Sequence, residues 1–228
     1  MEKARFDSVS VAGIAVFGAL ATLLAAVSQS LGLNFPLVPY LQFDLAEVAI
    51  IMAFFIFGPL PAVASSVVEF AALLVFGQNV PVGPVLKLFA LLSTIGGMWV
   101  GSRISFRLRT PTLLKVVVVS AVFGSIIRAV VMTIPNYYII VFLYSLQGVE
   151  GLVKSAFASA GVSLTDANAL ALILGFTALF NVAQLAIVIG LSYLVLRVPP
   201  VSNMKVGGRP PWFVSVTSGR AKAEGGKQ

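Results

Sequence analysis

The amino-acid sequence predicts an all-α membrane protein with six transmembrane helices and both termini in the cytoplasm. Of the 228 residues, 59% are hydrophobic and only 10% are charged, which leaves too little polar surface to cover a water-soluble globule. No charged residue lies between Asp7 and Asp44, or between Asp166 and Arg197. These stretches are long enough to span a bilayer, because about 20 apolar residues cross its hydrocarbon core.

Turn residues and charges divide the chain into six apolar segments. We predict helices over residues 9–33, 44–57, 60–77, 82–102, 113–143 and 169–196. The break after the second helix rests on Gly58-Pro59-Leu60-Pro61, because two prolines and a glycine cannot continue a regular helix. The second helix is then short, at about 21 Å. Residues 144–168 are predicted to form an external connection that includes a short interfacial helix.

The distribution of basic residues supports six spans and sets their orientation. With the N-terminus inside, the cytoplasmic segments contain 12 of the 15 basic residues. Lys154 lies outside, while Lys87 and Arg128 lie within spans. Five spans would place the cluster at 103–115 outside while the N-terminal basic residues stay inside, which contradicts the positive-inside rule. We therefore predict a multi-pass protein of the plasma membrane.

The chain divides into a transmembrane domain, residues 1–198, and a basic tail, residues 199–228. After Pro199-Pro200 the sequence is rich in Gly, Pro, Ser, Lys and Arg, which predicts a mostly disordered segment. Two interpretations of the tail stay open: it is solvated without a specific role, or its basic residues contact anionic lipid headgroups.

Several function classes are excluded by what the sequence lacks. Cysteine and histidine are absent, which removes thiolate and imidazole metal sites and every catalytic dyad built on those residues. No glycine-rich lysine motif for nucleotide binding is present. The basic residues are not interleaved with stacking aromatic residues, so nucleic acid is not a predicted partner. We predict no enzymatic activity, no metal and no cofactor.

Charged side chains inside apolar segments are costly, so each needs a partner or a wet cavity and each is a candidate site residue. For Asp44, ligand contact and helix N-capping are equally supported, whereas capping is favoured for Glu47. Glu69 and Lys87 could form an internal ion pair, which we favour over ligand contact. Arg128 could bind a ligand group or tie helices together.

Two asparagines are further candidates for ligand binding. Asn136 and Asn181 each offer donors and an acceptor in one plane, which suits recognition of a planar heterocycle. Gln184 follows Asn181 by three positions and shares its helix face. Tyr40 and Tyr137 could stack on a ring, although aromatic residues at this depth also form the interfacial belt.

The first helix contains small residues at close helical spacing. They include Ala15, Gly18, Ala19 and Thr22. Small residues let another helix approach closely in lipid. Internal packing and a docking face for another protein would both produce this pattern, so the sequence leaves the two alternatives open.

Four short stretches carry a likeness to a known family. They are Leu41-Gln42-Phe43-Asp44 leading to Phe57-Gly58-Pro59, Pro81-Val82-Gly83-Pro84, Arg128 through Asn136-Tyr137-Tyr138 to Tyr144, and Phe180-Asn181. In this order they resemble the substrate-binding S components of energy-coupling factor (ECF) vitamin transporters, most closely the riboflavin-specific branch. The resemblance implies a six-helix protein that binds its vitamin with high affinity and has no ATPase activity of its own.

The resemblance also implies partners and contacts. The partners are a transmembrane coupling subunit and two ATP-binding-cassette (ABC) ATPases, and the small residues of the first helix would meet the coupling subunit. Flavin contacts would fall on Asp44, Asn136 and Asn181. Gln184 departs from the riboflavin branch, which typically has lysine there, and Glu69 replaces a basic or amide residue.

These departures leave the transporter class intact and keep more than one ligand open. Riboflavin is the first candidate, and another vitamin or small heterocycle is the alternative. A self-sufficient secondary carrier, with Glu69, Lys87 and Arg128 as an ion relay, is a second class. We find no inverted repeat between the two halves of the sequence, which argues against that carrier.

Overall fold

A computed structural model of the chain describes residues 7–106, 112–143, 149–163, 166–198 and 205–214. The helices in this part are α1 (Ser8–Leu31), α2 (Ala46–Phe57), α3 (Pro59–Phe76), α4 (Val82–Ser105), α5 (Leu113–Leu143), α6 (Val149–Ser159) and α7 (Asp166–Arg197). Two short strands, β1 (Asn34–Phe35) and β2 (Val38–Gln42), pair antiparallel between α1 and α2.

Five helices in the described part, α1, α3, α4, α5 and α7, are long and apolar enough to cross a membrane. This supports the predicted multi-pass membrane protein. Helix α2 has only 12 residues, about 18 Å, whereas the hydrocarbon core is about 30 Å thick. Ten of these 12 residues are buried, so α2 lies inside the bundle and not against lipid. The sixth span and the orientation of the termini stay predictions.

The ends of α1 have distinct caps. At the start, the carboxylate of Asp7 accepts a hydrogen bond from the Ser10 N–H at 2.9 Å, which lowers the pKa of Asp7. At the end, Gly32 adopts the left-handed conformation with φ of +60°, which glycine reaches without steric cost.

The predicted break after the second helix is confirmed. Helix α2 ends at Phe57, Gly58 adopts a φ of +100°, and α3 begins at Pro59. Proline is compatible with the first turn of a helix because no intrahelical bond needs its missing N–H there. The Gly58 N–H still bonds to the Phe54 carbonyl at 2.9 Å, so α2 closes its last turn before the chain changes direction.

The five long helices pack in the order α1, α3, α4, α5 and α7, and the short helix α2 connects the two ends of this row. Helix α1 contacts α3, followed by α4, α5 and α7, and α2 contacts both α1 and α7. The approach of α4 to α5 is especially close. A Cβ atom at Gly97 would lie 2.6 Å from the Phe123 carbonyl oxygen, and one at Gly101 would lie 2.7 Å from that of Val119. Glycine at these two positions allows the backbones to meet.

One end of the bundle is covered by the hairpin and α6. The buried residues Val38, Val153, Phe157 and Ile173 join β2, α6 and α7 in a small apolar cluster. Helix α6 confirms the short helix predicted within residues 144–168. The two strands were not predicted and add a hairpin to the otherwise helical fold. Their local pairing satisfies backbone groups in a connection that also packs apolar side chains.

Residues 205–214, which belong to the segment predicted to be mostly disordered, pack against the bundle. The Trp212 ring lies 5.3 Å from the Phe54 ring, centroid to centroid, and Phe213 is buried. Large aromatic side chains bury much apolar surface each, and two of them offset the entropy of ordering a short segment. The sequence prediction weighed the polar composition of the tail and missed this pair.

Replacing Trp212 with alanine is expected to destabilise the folded protein by about 1–3 kcal/mol, because a large, partly buried ring is lost. The midpoint of thermal unfolding in detergent measures the effect. Arg209→Ala is the matched control, since the Arg209 side chain is exposed and should leave the midpoint unchanged. Equal midpoints for wild type and Trp212→Ala would show that the segment contributes no packing energy.

Candidate functional site

A polar cavity of about 290 Å³ lies between the hairpin, α2 and the five long helices. Its volume is close to the lower end of the range for small-molecule sites, about 300–1,000 Å³. Its wall contains seven of the ten candidate residues named from the sequence: Tyr40, Asp44, Glu47, Lys87, Arg128, Asn136 and Asn181. The structure therefore brings together side chains from distant parts of the chain.

Arg128 of α5 is fixed by a buried fork. Its Nη1 donates to Glu47 Oε2 at 2.6 Å and its Nη2 donates to Glu47 Oε1 at 2.9 Å. Its Nε donates to Asn181 Oδ1 at 2.9 Å, so α5 is tied to both α2 and α7. Both charged side chains of the pair are about 3% exposed. Of the two roles proposed for Arg128, the structure shows the tying of helices.

The role of Glu47 corrects the sequence prediction. Capping was favoured for this residue, but its carboxylate is the partner of Arg128, and the N-cap position of α2 is Leu45 without a side-chain bond. Asp44 instead contributes near the helix start, where its Oδ1 accepts the Ala46 N–H at 2.8 Å. Asp44 therefore bonds near the start of α2, whereas Glu47, three residues later, pairs with Arg128 of α5.

Lys87 of α4 lies between two carboxylates. It forms ion pairs with Asp44, before α2, and with Glu69 of α3. The predicted internal pair of Glu69 with Lys87 is therefore confirmed. Glu69 is fully buried, whereas the side chains of Asp44 and Lys87 keep partial exposure in the cavity wall.

The two asparagines differ in what they leave open. Asn181 is occupied at both ends, since its Oδ1 accepts from Arg128 and its Nδ2 donates to the Thr177 carbonyl at 2.9 Å. Asn136 donates its Nδ2 to the Met132 carbonyl at 2.7 Å. Its Oδ1 is buried without a hydrogen-bond partner. Asn136 lies in the cavity wall, so its Oδ1 is a hydrogen-bond acceptor at the cavity that has no partner in the described part of the chain.

Gln184 does not line the cavity, in contrast to its predicted substrate contact. It is 2% exposed and clamps the backbone of Asp44. Its Oε1 accepts the Asp44 N–H at 3.3 Å and its Nε2 donates to the Asp44 carbonyl at 2.7 Å. Gln184, on α7, thus holds the backbone of Asp44, which lines the cavity.

The aromatic residues at the cavity also differ from the prediction in part. Tyr40 lines the cavity, but Tyr137 is 42% exposed on the side of α5 and contacts the Tyr138 ring instead. Phe180 lines the cavity and packs on Phe43, with ring centroids 5.0 Å apart. The ring surface in the wall therefore comes from α7 and the hairpin connection.

Sequence reasoning missed five amide side chains in the wall. They are Gln29, Asn34, Gln42, Gln78 and Asn79. All lie in or beside the connections α1–α2 and α3–α4, where polar residues are expected for solvent exposure alone. Gln42 shows one of their roles, since its Nε2 donates to the Ser28 carbonyl at 2.9 Å.

The small residues of α1 divide between two faces. Ala15 and Ala19 are exposed, and Thr22 is half-buried. Gly18 is buried in the contact with α3, where a Cβ atom would lie 2.7 Å from Val68 Cγ1. Gly18 therefore contributes to internal packing. Ala15 and Ala19 form the exposed small-residue strip of α1.

Comparison with solved structures identifies the architecture. The chain matches a structure described as "Structure and mechanism of the S component of a bacterial ECF transporter", with a TM-score of 0.61. The chain has the fold of an ECF S component. The match covers 82% of this chain and 93% of that one at 20% sequence identity. No protein-family model matches the sequence, and no curated protein matches it, so the S-component fold rests on the structural comparison.

Proposed function

We propose that this chain is the vitamin-binding subunit of an ECF uptake transporter. The observation that carries the proposal is the polar cavity enclosed in an S-component fold. A cluster of charged and amide side chains among apolar helices is costly, and such clusters mark substrate pathways and binding sites in membrane proteins. A binding subunit uses this arrangement without any covalent chemistry.

The energy for uptake comes from partner proteins in this proposal. The cavity lies among apolar helices, and the sequence has no nucleotide-binding motif of its own. The partners are a transmembrane coupling subunit and two ABC ATPases, as the sequence resemblance implies. The chain itself is a transport protein and not an enzyme.

Riboflavin is the first vitamin to test. Its ring system presents N–H and C=O groups in one plane, and the cavity offers the Asn136 acceptor together with the Phe180 ring. The sequence resemblance to the riboflavin branch supports the same ligand. Another vitamin or small heterocycle is the alternative, because Gln184 and Glu69 depart from that branch.

We also propose six crossings with both termini in the cytoplasm. Helices α2 and α3, joined at Gly58, would together contribute two of the crossings, with the short α2 shielded by its neighbours. The basic residues then concentrate inside. The hairpin and the α3–α4 connection, which border the cavity, would face outside, where the vitamin enters.

The purified protein tests the ligand directly. A flavin that copurifies in detergent gives a yellow protein, and its absorption spectrum identifies the ring system. Added riboflavin should also bind at concentrations below the micromolar range. A colourless preparation that fails to bind riboflavin while binding another vitamin would overturn the flavin proposal and keep the transporter class.

Asn136→Ala is expected to weaken binding of the vitamin by about 1–3 kcal/mol, because a ligand donor would lose its buried acceptor. Isothermal titration of the purified protein measures the change. Thr133→Ala is the matched control one turn earlier on α5, since Thr133 bonds to its own helix and lies outside the cavity wall. Equal affinities for wild type and Asn136→Ala would remove Asn136 from the site.

A further inference from the structure

The charged groups at the cavity do not balance. Asp44, Glu47 and Glu69 contribute three carboxylates, whereas Lys87 and Arg128 contribute two cations. Within the described part of the chain, the cluster therefore has one surplus negative charge when all five groups are ionised. A bound metal ion does not account for this surplus, because no three acidic residues in the described part of the chain are arranged to hold one.

Both cations already have carboxylate partners. The guanidinium of Arg128 uses two nitrogens on Glu47 and its Nε on Asn181. The ammonium group of Lys87 is shared by Asp44 and Glu69. An anionic ligand group would therefore compete with these carboxylates for a cation whose charge is already compensated.

The unpartnered Oδ1 of Asn136 also favours a ligand without negative charge. The unpartnered atom of Asn136 is its Oδ1, a hydrogen-bond acceptor, whereas its Nδ2 donates to the Met132 carbonyl. Asn136 lies in the cavity wall and is 1% exposed, so bulk solvent does not reach this acceptor. A ligand N–H or O–H satisfies this atom, and a carboxylate or phosphate oxygen does not.

We propose that the site selects its ligand by charge: it binds neutral or positively charged heterocycles that donate hydrogen bonds, and it rejects forms with a phosphate or carboxylate in the cavity. This inference rests on the proposed vitamin-binding function and deepens it. Repulsion between unit charges about 7 Å apart at an effective dielectric constant of about 20 corresponds to a roughly 50-fold loss of affinity. With all five groups ionised, the surplus charge is therefore large enough to discriminate between two otherwise similar ligands.

The test compares riboflavin with riboflavin 5′-phosphate on the purified full-length protein. Wild type should bind riboflavin at least about tenfold more tightly, and Glu69→Gln should reduce the ratio of the two affinities about tenfold by removing the surplus charge. Glu69→Asp is the matched control, which keeps the charge and should keep the ratio. Because the ratio is measured, a general loss of affinity does not imitate the effect. Asp44→Asn repeats the test if Glu69→Gln does not fold.

Equal binding of the two flavins by wild type overturns the inference, as does a ratio that Glu69→Gln and Asp44→Asn leave unchanged. Thiamine, a cation, and biotin, an anion, separate the inference from the flavin proposal. Binding of thiamine alone supports charge selection and overturns riboflavin. Binding of biotin alone overturns charge selection and leaves the vitamin-binding function standing. If none of the four compounds binds, the riboflavin proposal and this inference are both overturned, whereas the vitamin-binding function would then need a different vitamin as its ligand.

Discussion

Arg128→Leu is expected to destabilise the folded protein by about 3–5 kcal/mol, because it leaves the buried carboxylate of Glu47 without its partner. The same change removes the donor to Asn181 and so breaks a second link between helices. Thermal and denaturant unfolding in detergent measure the loss. Such a loss is a large part of the total stability of a typical domain, so low yield of folded protein is an expected sign.

The paired variant Glu47→Leu with Arg128→Leu is the decisive control. It removes both charges together, and an apolar replacement of a buried ion pair is often neutral or stabilising. We therefore expect the double variant to recover most of the stability lost in Arg128→Leu. If the double variant is as unstable as the single one, Arg128 stabilises the fold through its packing or hydrogen bonds and not by compensating the charge of Glu47.

Features determined by neighbouring residues were predictable from the sequence. The break at Gly58 depends on local backbone chemistry, since glycine adopts a φ of +100° and the prolines fit the next first turn. The apolar segments likewise predict helices from length and composition. The hairpin at Val38 was missed because its strands are too short to show an alternating pattern, and their stability depends on packing against α6 and α7.

Pairings across long sequence distances were harder to predict. Glu47 lies 81 residues from Arg128, and Gln184 lies 140 residues from Asp44. The sequence indicates that buried charges need partners but not which partner each one has. Glu47 was therefore assigned to helix capping, for which its position three residues after Asp44 is equally suitable. Several candidate residues do lie together in the cavity wall, since polar residues at membrane depth converge for energetic reasons.

A substitution in the exposed small-residue strip of α1 is expected to reduce uptake without changing ligand affinity. Ala19→Trp is expected to reduce ATP-driven uptake by more than about tenfold, equivalent to about 1.4 kcal/mol or more, since a large ring prevents close approach of a partner helix. Ligand affinity should stay unchanged, because Ala19 is exposed and lies outside the cavity wall. Uptake by vesicles that contain the coupling subunit and both ATPases measures the first quantity, and titration of the isolated chain measures the second.

Leu23→Trp provides the matched control for this experiment. Leu23 lies one turn further along α1, next to Ala19 on the helix surface, and is 65% exposed, but its side chain is already large. A protein partner that needs small residues would tolerate a ring at Leu23 better than one at Ala19. Equal loss of uptake in both variants would indicate a general effect on α1 insertion, whereas loss confined to Ala19→Trp assigns the small-residue strip to the coupling subunit.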